Sequence, residues 1–238
     1  QQKQQQQLAQ HSRAEISNAD LAPMALQLLQ WGVDDPSELR WLDPPGAGPW
    51  QQAMGLLQAL GAVEQSTHHY TLTQHGQHMT SLQVHPRLAH LLIRGAEAGA
   101  NQTAALLASF LSDRDPVSDN PDINARLDIL TGQTHCPHQL NVWRRRTQQL
   151  AQQFESQLTK LNISAHLSLP HEQISGFLLT CAYPDRIARQ RHSGGYQLAN
   201  GRSANLASQH YLGKQRWLSV AEVTGAAHSQ SDIIRSSV

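Results

Sequence analysis

Cysteine is almost missing from this chain. Cys136 and Cys181 are the only two in 238 residues, and they stand far apart outside any C-x-x-C pair, which excludes a disulfide framework and a zinc ribbon. Hydrophobic residues make up 39% and charged residues 15%, both low for a globular domain. Gln, His, Ser and Asn fill the shortfall. No apolar run approaches the ~20 residues that span a bilayer, and the opening QQKQQQQLAQ has no apolar signal region. A cytoplasmic protein with no membrane partner is expected.

Catalytic signatures are missing as well. There is no G-x-x-x-x-G-K-[ST] phosphate loop and no acidic magnesium motif beside one, so ATP hydrolysis by that route is excluded for this stretch. Ser193-Gly194-Gly195 lacks the G-x-S-x-G flanks of a nucleophile elbow. His135-Cys136-Pro137-His138 is the densest group among fourteen histidines, yet no second ligand pair stands at metal spacing. His68-His69 and the pair His75 and His78 read as polar positions of a hairpin and of the helix after it. No catalytic residue and no metal ligand is assigned.

Charge is present but divided. Residues 1–139 hold 7 Lys/Arg against 13 Asp/Glu, and residues 140–238 hold 11 against 5. A zero net charge therefore hides an acidic half and a basic half, and the basic half suits a polyanion, another protein's acidic face or pairing within the chain itself.

The best-punctuated stretch is Ser17–Asp43. Asp20 is placed to cap a helix, Pro23 sits in its first turn, Leu21, Met24, Ala25, Leu28 and Leu29 recur at helical spacing, and Gly32 ends it. Trp31, Trp41 and Trp50 bracket this small helical core. A second helix is expected over Pro49–Leu60, with Trp50, Ala53, Met54, Leu57 and Leu60 on one side. Ala62–Val63 and HHYTLT then read as a short two-stranded wing, and Thr73 caps a further helix. Helix, turn, helix, wing, helix is the order of a winged-helix domain. Its second helix has no Lys or Arg, which disfavours reading DNA and favours packing against protein.

From Pro86 onward the spacing predicts a bundle. Leu88, Leu91, Leu92 and Gly95 mark one helix, Ala104–Leu111 another, and Ile123, Leu127 and Leu130 a third. The longest covers Asn141–Leu161, with Val142, Leu150, Phe154, Leu158 and Leu161 as its buried stripe. Arg144, Arg145 and Arg146 crowd its N-terminal end, where cations oppose the helix dipole; a phosphate partner or a solvated basic face accounts for them. Gln173–Ala182 is the last helix, with Ile174, Phe177, Leu178 and Cys181 inward. After Tyr183 the composition changes. Arg186, Arg189 and Arg191 precede Gly194-Gly195, and Tyr196–Ala199 and Trp217–Thr224 read as strands, too few to complete a sheet without another chain or a short barrel-like packing. The fold class expected is mostly α: a tail (1–18), a winged helix (19–83), a helical bundle (84–182) and the start of a β-rich domain (183–238).

Five blocks in order, ADLAPMALQLLQWGVDDPSELRWLDPP, LLQALGAV, LTQHGQHMTSLQVHPRLAHLLIRGAEAG, ALLASFLSDRDPV and YPDRIARQRHSGGYQLANGRSANL, resemble the HrpB branch of the bacterial DEAH-box ATP-dependent helicases. The resemblance implies a parent with two RecA-like motor lobes that bind ATP and magnesium, followed by the domains found here. It implies that this region, with no cofactor of its own, lines a channel for single-stranded RNA and packs on the motor lobes. Arg144, Arg145, Arg146, Arg186, Arg189 and Arg191 are then the candidate nucleic-acid contacts. A winged-helix regulator and a protein-interaction scaffold are the alternatives.

Overall fold

Asp20 accepts a hydrogen bond from the Ala22 N–H at 2.9 Å, and Gly32 leaves the helix at φ +84°. Helix α1 (Ala22–Gln30) is thus bounded at both ends by the chemistry its sequence announces. The computed structural model describes residues 15–17, 19–67, 69–117, 120–192, 194–206, 210–224 and 232–238; most of the expected tail, His68 and Ser193 lie outside them. The chain divides into two compact units, one ending at Thr80 and the other starting at Ser81.

In the first unit, α1 packs on α2 (Ala47–Ala59). Leu21, Ala25, Leu28, Met54, Leu57 and Leu60 are buried. Strands β1 (Val63–Ser66) and β2 (His69–Leu72) form an antiparallel hairpin with Val63 opposite Leu72, and α3 (Gln74–Ser81) follows. The Thr73 hydroxyl accepts from the Gly76 N–H at 2.9 Å. A Cβ on Gly76 would stand 2.0 Å from the Ala62 carbonyl oxygen, so only glycine lets α3 come this close. Asp34, between α1 and α2, accepts from the Tyr70 N–H at 2.9 Å and pairs with His69 at 3.1 Å. The Tyr70 N–H, ahead of His69, holds its carboxyl below the ordinary carboxylate range. The tryptophans border the core without filling it: Trp31 is 73% exposed, Trp50 is half-buried, and Trp41 is half-buried with its indole N–H donating to the Pro36 carbonyl at 2.6 Å. Leu, Ala and Met fill the space between the helices.

The second unit begins with five helices: α4 (Pro86–Glu97), α5 (Asn101–Leu111), α6 (Ile123–Thr131), α7 (Asn141–Leu161) and α8 (Ile174–Ala182). Helix α5 is buried continuously from Ala104 to Phe110 because α4, α6, α7 and α8 all pack on it, as a helix apolar all round requires. A Cβ on Gly95 would meet the Ala104 Cβ at 2.2 Å, which fixes how closely α4 and α5 approach. Two predicted stripes are rotated. Val142 of α7 is 74% exposed, and Thr147, Ala151, Phe154 and Leu158 are the buried positions. In α8, Leu178, Leu179 and Ala182 are buried, whereas Ile174, Phe177 and Cys181 are half-buried.

The sheet after Tyr183 does complete itself, by the short barrel-like packing. Strands β3 (Ile187–Gln190), β4 (Tyr196–Leu198), β5 (Ser203–Leu206), β6 (Trp217–Thr224) and β7 (Asp232–Ser237) form a barrel in the order β3-β4-β5-β7-β6. All neighbours are antiparallel except β5 and β7. Five strands in Greek-key order, with the third and fifth parallel, have the connectivity of the OB barrel. Ala188, Tyr196, Leu198, Leu218, Val220 and Ile234 fill its interior. The Tyr196 hydroxyl donates at the barrel end, with the Leu212 and Gln215 carbonyls 2.9 and 2.8 Å away.

Bundle and barrel are stitched together within this unit. Thr180 of α8 and Ser219 of β6 join hydroxyls at 2.5 Å. The Ser237 N–H donates to the Pro121 carbonyl at 2.8 Å, and the Tyr211 hydroxyl donates to the Asp122 carboxylate. Burial and that carboxylate push the Tyr211 phenol up to about 12.

Candidate nucleic-acid interface

Helical geometry separates the three consecutive arginines of α7, because neighbours on a helix point about 100° apart. Arg144 is half-buried and directed at the left-handed turn of Gly132 that ends α6, where a Cβ would lie 3.3 Å from its Nη2. Arg145 is exposed. Arg146 is exposed and pairs with Asp113 at 3.2 Å, a surface pair of little energetic weight. The tribasic run thus presents two arginines to solvent.

The second arginine group divides too. Arg186 lies between bundle and barrel, with its guanidinium 4.8 Å from the Tyr183 ring centre and one N–H donating to the Ala221 carbonyl of β6. Arg87 of α4 approaches the same ring at 5.2 Å and donates to the Ala182 carbonyl at 2.9 Å and to Asp185 at 2.5 Å. Burial, reinforced by the Arg87 charge, lowers the Arg186 pKa below its ordinary value, and the Tyr183 phenol is raised, chiefly by burial. Arg186 is therefore occupied in joining β6 to the end of α8.

Arg189 and Arg191 are exposed at one end of the barrel. Barrel closure delivers further groups there. Arg189 is in register with Trp217 across the β3–β6 pair, the Gln190 N–H donates to the Arg216 carbonyl at 2.9 Å, and the Gln190 side chain donates to the Gly213 carbonyl at 2.7 Å. Lys214 and Arg216, both exposed, thereby join Arg189 and Arg191. None of the four takes part in an ion pair among the described residues. From Arg186 through Ala221 the chain has six Lys/Arg and no Asp or Glu, so no carboxylate of this run offsets them. Lys214, Arg216 and Trp217 were not predicted as site residues; the absence of acids from Arg186 to Ala221 was the available signal.

A cleft of different character lies elsewhere. It is about 770 Å³, set among α5, α6, α7 and the start of α8, and lined by Gln102, Gln148 and Gln152 together with Asp128, Glu155 and Glu172. No Lys or Arg lines it, so its charge is wrong for phosphate. Cys136 of the histidine-flanked loop packs with Ile129 and Leu140, a structural position. Among the described residues no helix is long and apolar enough to cross a membrane.

No protein-family model matches the chain. Its sequence is 31% identical over 104 residues to the ATP-dependent RNA helicase HrpA of Escherichia coli K12, covering 43% of this chain and 8% of that protein. A longer match joins it to the ATP-dependent RNA helicase HrpB of the same organism, 34% identical over 211 residues and 88% of this chain. The crystal structure of the E. coli DExH-box NTPase HrpB superposes on the whole chain with a TM-score of 0.80 at 30% identity. The class defined by sequence and fold is that of the DEAH helicases, and the chain belongs with their HrpB-like members. It spans 23% of the length of E. coli HrpB by sequence and 27% of the crystallised chain.

Proposed function

We propose that this chain is the accessory C-terminal region of an ATP-dependent DEAH-box helicase and guides single-stranded RNA past RecA-like motor lobes, which would supply ATP and magnesium binding. The observation that carries the reading is the exposed end of the barrel, where Arg189, Arg191, Lys214 and Arg216 gather without an intervening carboxylate. Guanidinium and ammonium groups on a rigid barrel hold a phosphodiester backbone without reading its sequence, which suits a translocating strand. Arg145 and Arg146 are assigned to the same backbone or to a motor lobe, and Arg144 and Arg186 to holding these surfaces in place.

The first unit is read as a winged helix that packs on protein. Two features support this: α2 carries no Lys or Arg, and Trp31 and Leu42 are 73% and 100% exposed, a greater apolar exposure than a nucleic-acid face needs.

Arg189→Ala combined with Arg191→Ala is the test. Removing one cation from a phosphate flattens the slope of log affinity against log salt by about 0.7 for a single strand. The double variant is expected to flatten it by about 1.4, while the helical circular dichroism and unfolding midpoint stay near wild type because both side chains are exposed. An unaltered slope in fluorescence anisotropy would remove these arginines from the interface.

A further inference from the structure

We infer that Trp217 is a stacking platform for an unpaired RNA base, with Arg189 beside it to hold the adjoining phosphate. This deepens the RNA-guiding reading and rests on it.

On the outer face of the β3–β6 pair, Ile187 and Ser219 are in register, as are Arg189 and Trp217 two residues along each strand. At Ser219 the face is covered by α8, whose Thr180 hydroxyl lies 2.5 Å from the Ser219 hydroxyl, which also donates to the Gly176 carbonyl at 3.3 Å. At Trp217 the cover has ended. Its neighbour Leu218 is 2% exposed inside the barrel, but the indole itself is 55% exposed. A side chain this large and apolar gives up most of its burial energy in such a position.

The surroundings select the partner. Directly opposed residues of an antiparallel pair have Cβ atoms about 4.5–5.5 Å apart, so the Arg189 stem flanks the indole. Arg216 precedes it, and Lys214 and Arg191 stand at the same barrel end. An apolar protein surface gains nothing from this charge, whereas a nucleotide presents a π face and an anion together. Every base has such a face, so stacking here is tolerant of sequence. The rim is built on regular structure. The Gly195 turn after β3 holds φ +69°, with its missing Cβ 2.2 Å from the Asn205 Oδ1 of β5, and the Gln190 and Tyr196 bonds fix the turn before β6.

Two probes separate stacking from charge: a labelled oligouridylate of about 12 nucleotides, within the ~4–16 that an OB fold covers, and an abasic sugar-phosphate strand of the same length. Trp217→Ala in the whole chain is expected to weaken oligouridylate binding roughly 5- to 150-fold and leave abasic binding within about twofold, because an abasic strand has nothing to stack. Trp217→Phe should recover most of the loss. Arg189→Ala should weaken both probes and flatten the salt slope for both. Equal losses on the two probes, or no loss on oligouridylate, would overturn the stacking role while leaving the guiding role standing. Failure of wild type to bind either probe at low salt would overturn both. Displacement of bound oligouridylate by polyglutamate at equal charge concentration would likewise count against it, marking the surface as one for an acidic protein.

Discussion

Arg126→Ala is expected to lower the unfolding free energy of the second unit by about 3–5 kcal/mol, the cost of breaking a buried charge pair by removing one partner. Arg126 is wholly buried although it carries a full positive charge. Its Nε and Nη2 bond one Asp115 oxygen at 2.9 and 2.6 Å, and its Nη1 donates to the Asp122 carbonyl at 2.8 Å, with further bonds to the Asn120 and Val117 carbonyls. Truncation would strand a carboxylate and three carbonyls that cannot all reach water, and unsatisfied buried acceptors are expensive. The segment so held also carries Pro121 and Asp122, which bond Ser237 and Tyr211 of the barrel region. A second consequence is therefore earlier melting of barrel against bundle. Urea unfolding followed by helical circular dichroism and by tyrosine fluorescence checks both. A loss under about 1 kcal/mol would mean that water already reaches the guanidinium.

Leu28→Ala is expected to cost the first unit about 2–5 kcal/mol, the span for deleting a buried leucine side chain. Leu28 is 3% exposed on α1, which packs against α2, and Ala25, Leu29 and Leu57 of the two helices are buried as well. Because the chain forms two compact units, the loss should fall on the transition of the first unit and leave Arg126-dependent behaviour unchanged. Hydrogen exchange of α1 amides against those of α5 resolves the two. A loss below about half a kilocalorie would place Leu28 off the core face.

The helices were legible because their signals are local. Asp20, Pro23 and Gly32 punctuate α1, Asn141–Leu161 matches α7 to the residue, and Thr73 caps α3. What failed was long-range. Arg126 occupies a polar position of the α6 pattern, and only the placement of Asp115, Val117, Asn120 and Asp122 surrounds it with acceptors. The strands β3 and β5 are four residues long, too short for alternation to register. The parallel β5–β7 pair joins segments separated by the whole of β6, which no local pattern reveals. The candidate site shows the same division. Six arginines were visible as charge, but whether each faces water, Gly132 or Tyr183 is decided by tertiary packing, and Trp217 reaches Arg189 only when the barrel closes.

Direct titration of a labelled oligouridylate with the unmodified chain, repeated from low to moderate salt, bears most directly on whether the basic barrel end holds RNA. Saturable binding whose logarithm falls linearly with log salt, at about 0.7 per phosphate engaged, is the expected result. Absence of binding at the lowest salt, or an affinity indifferent to salt, would contradict it.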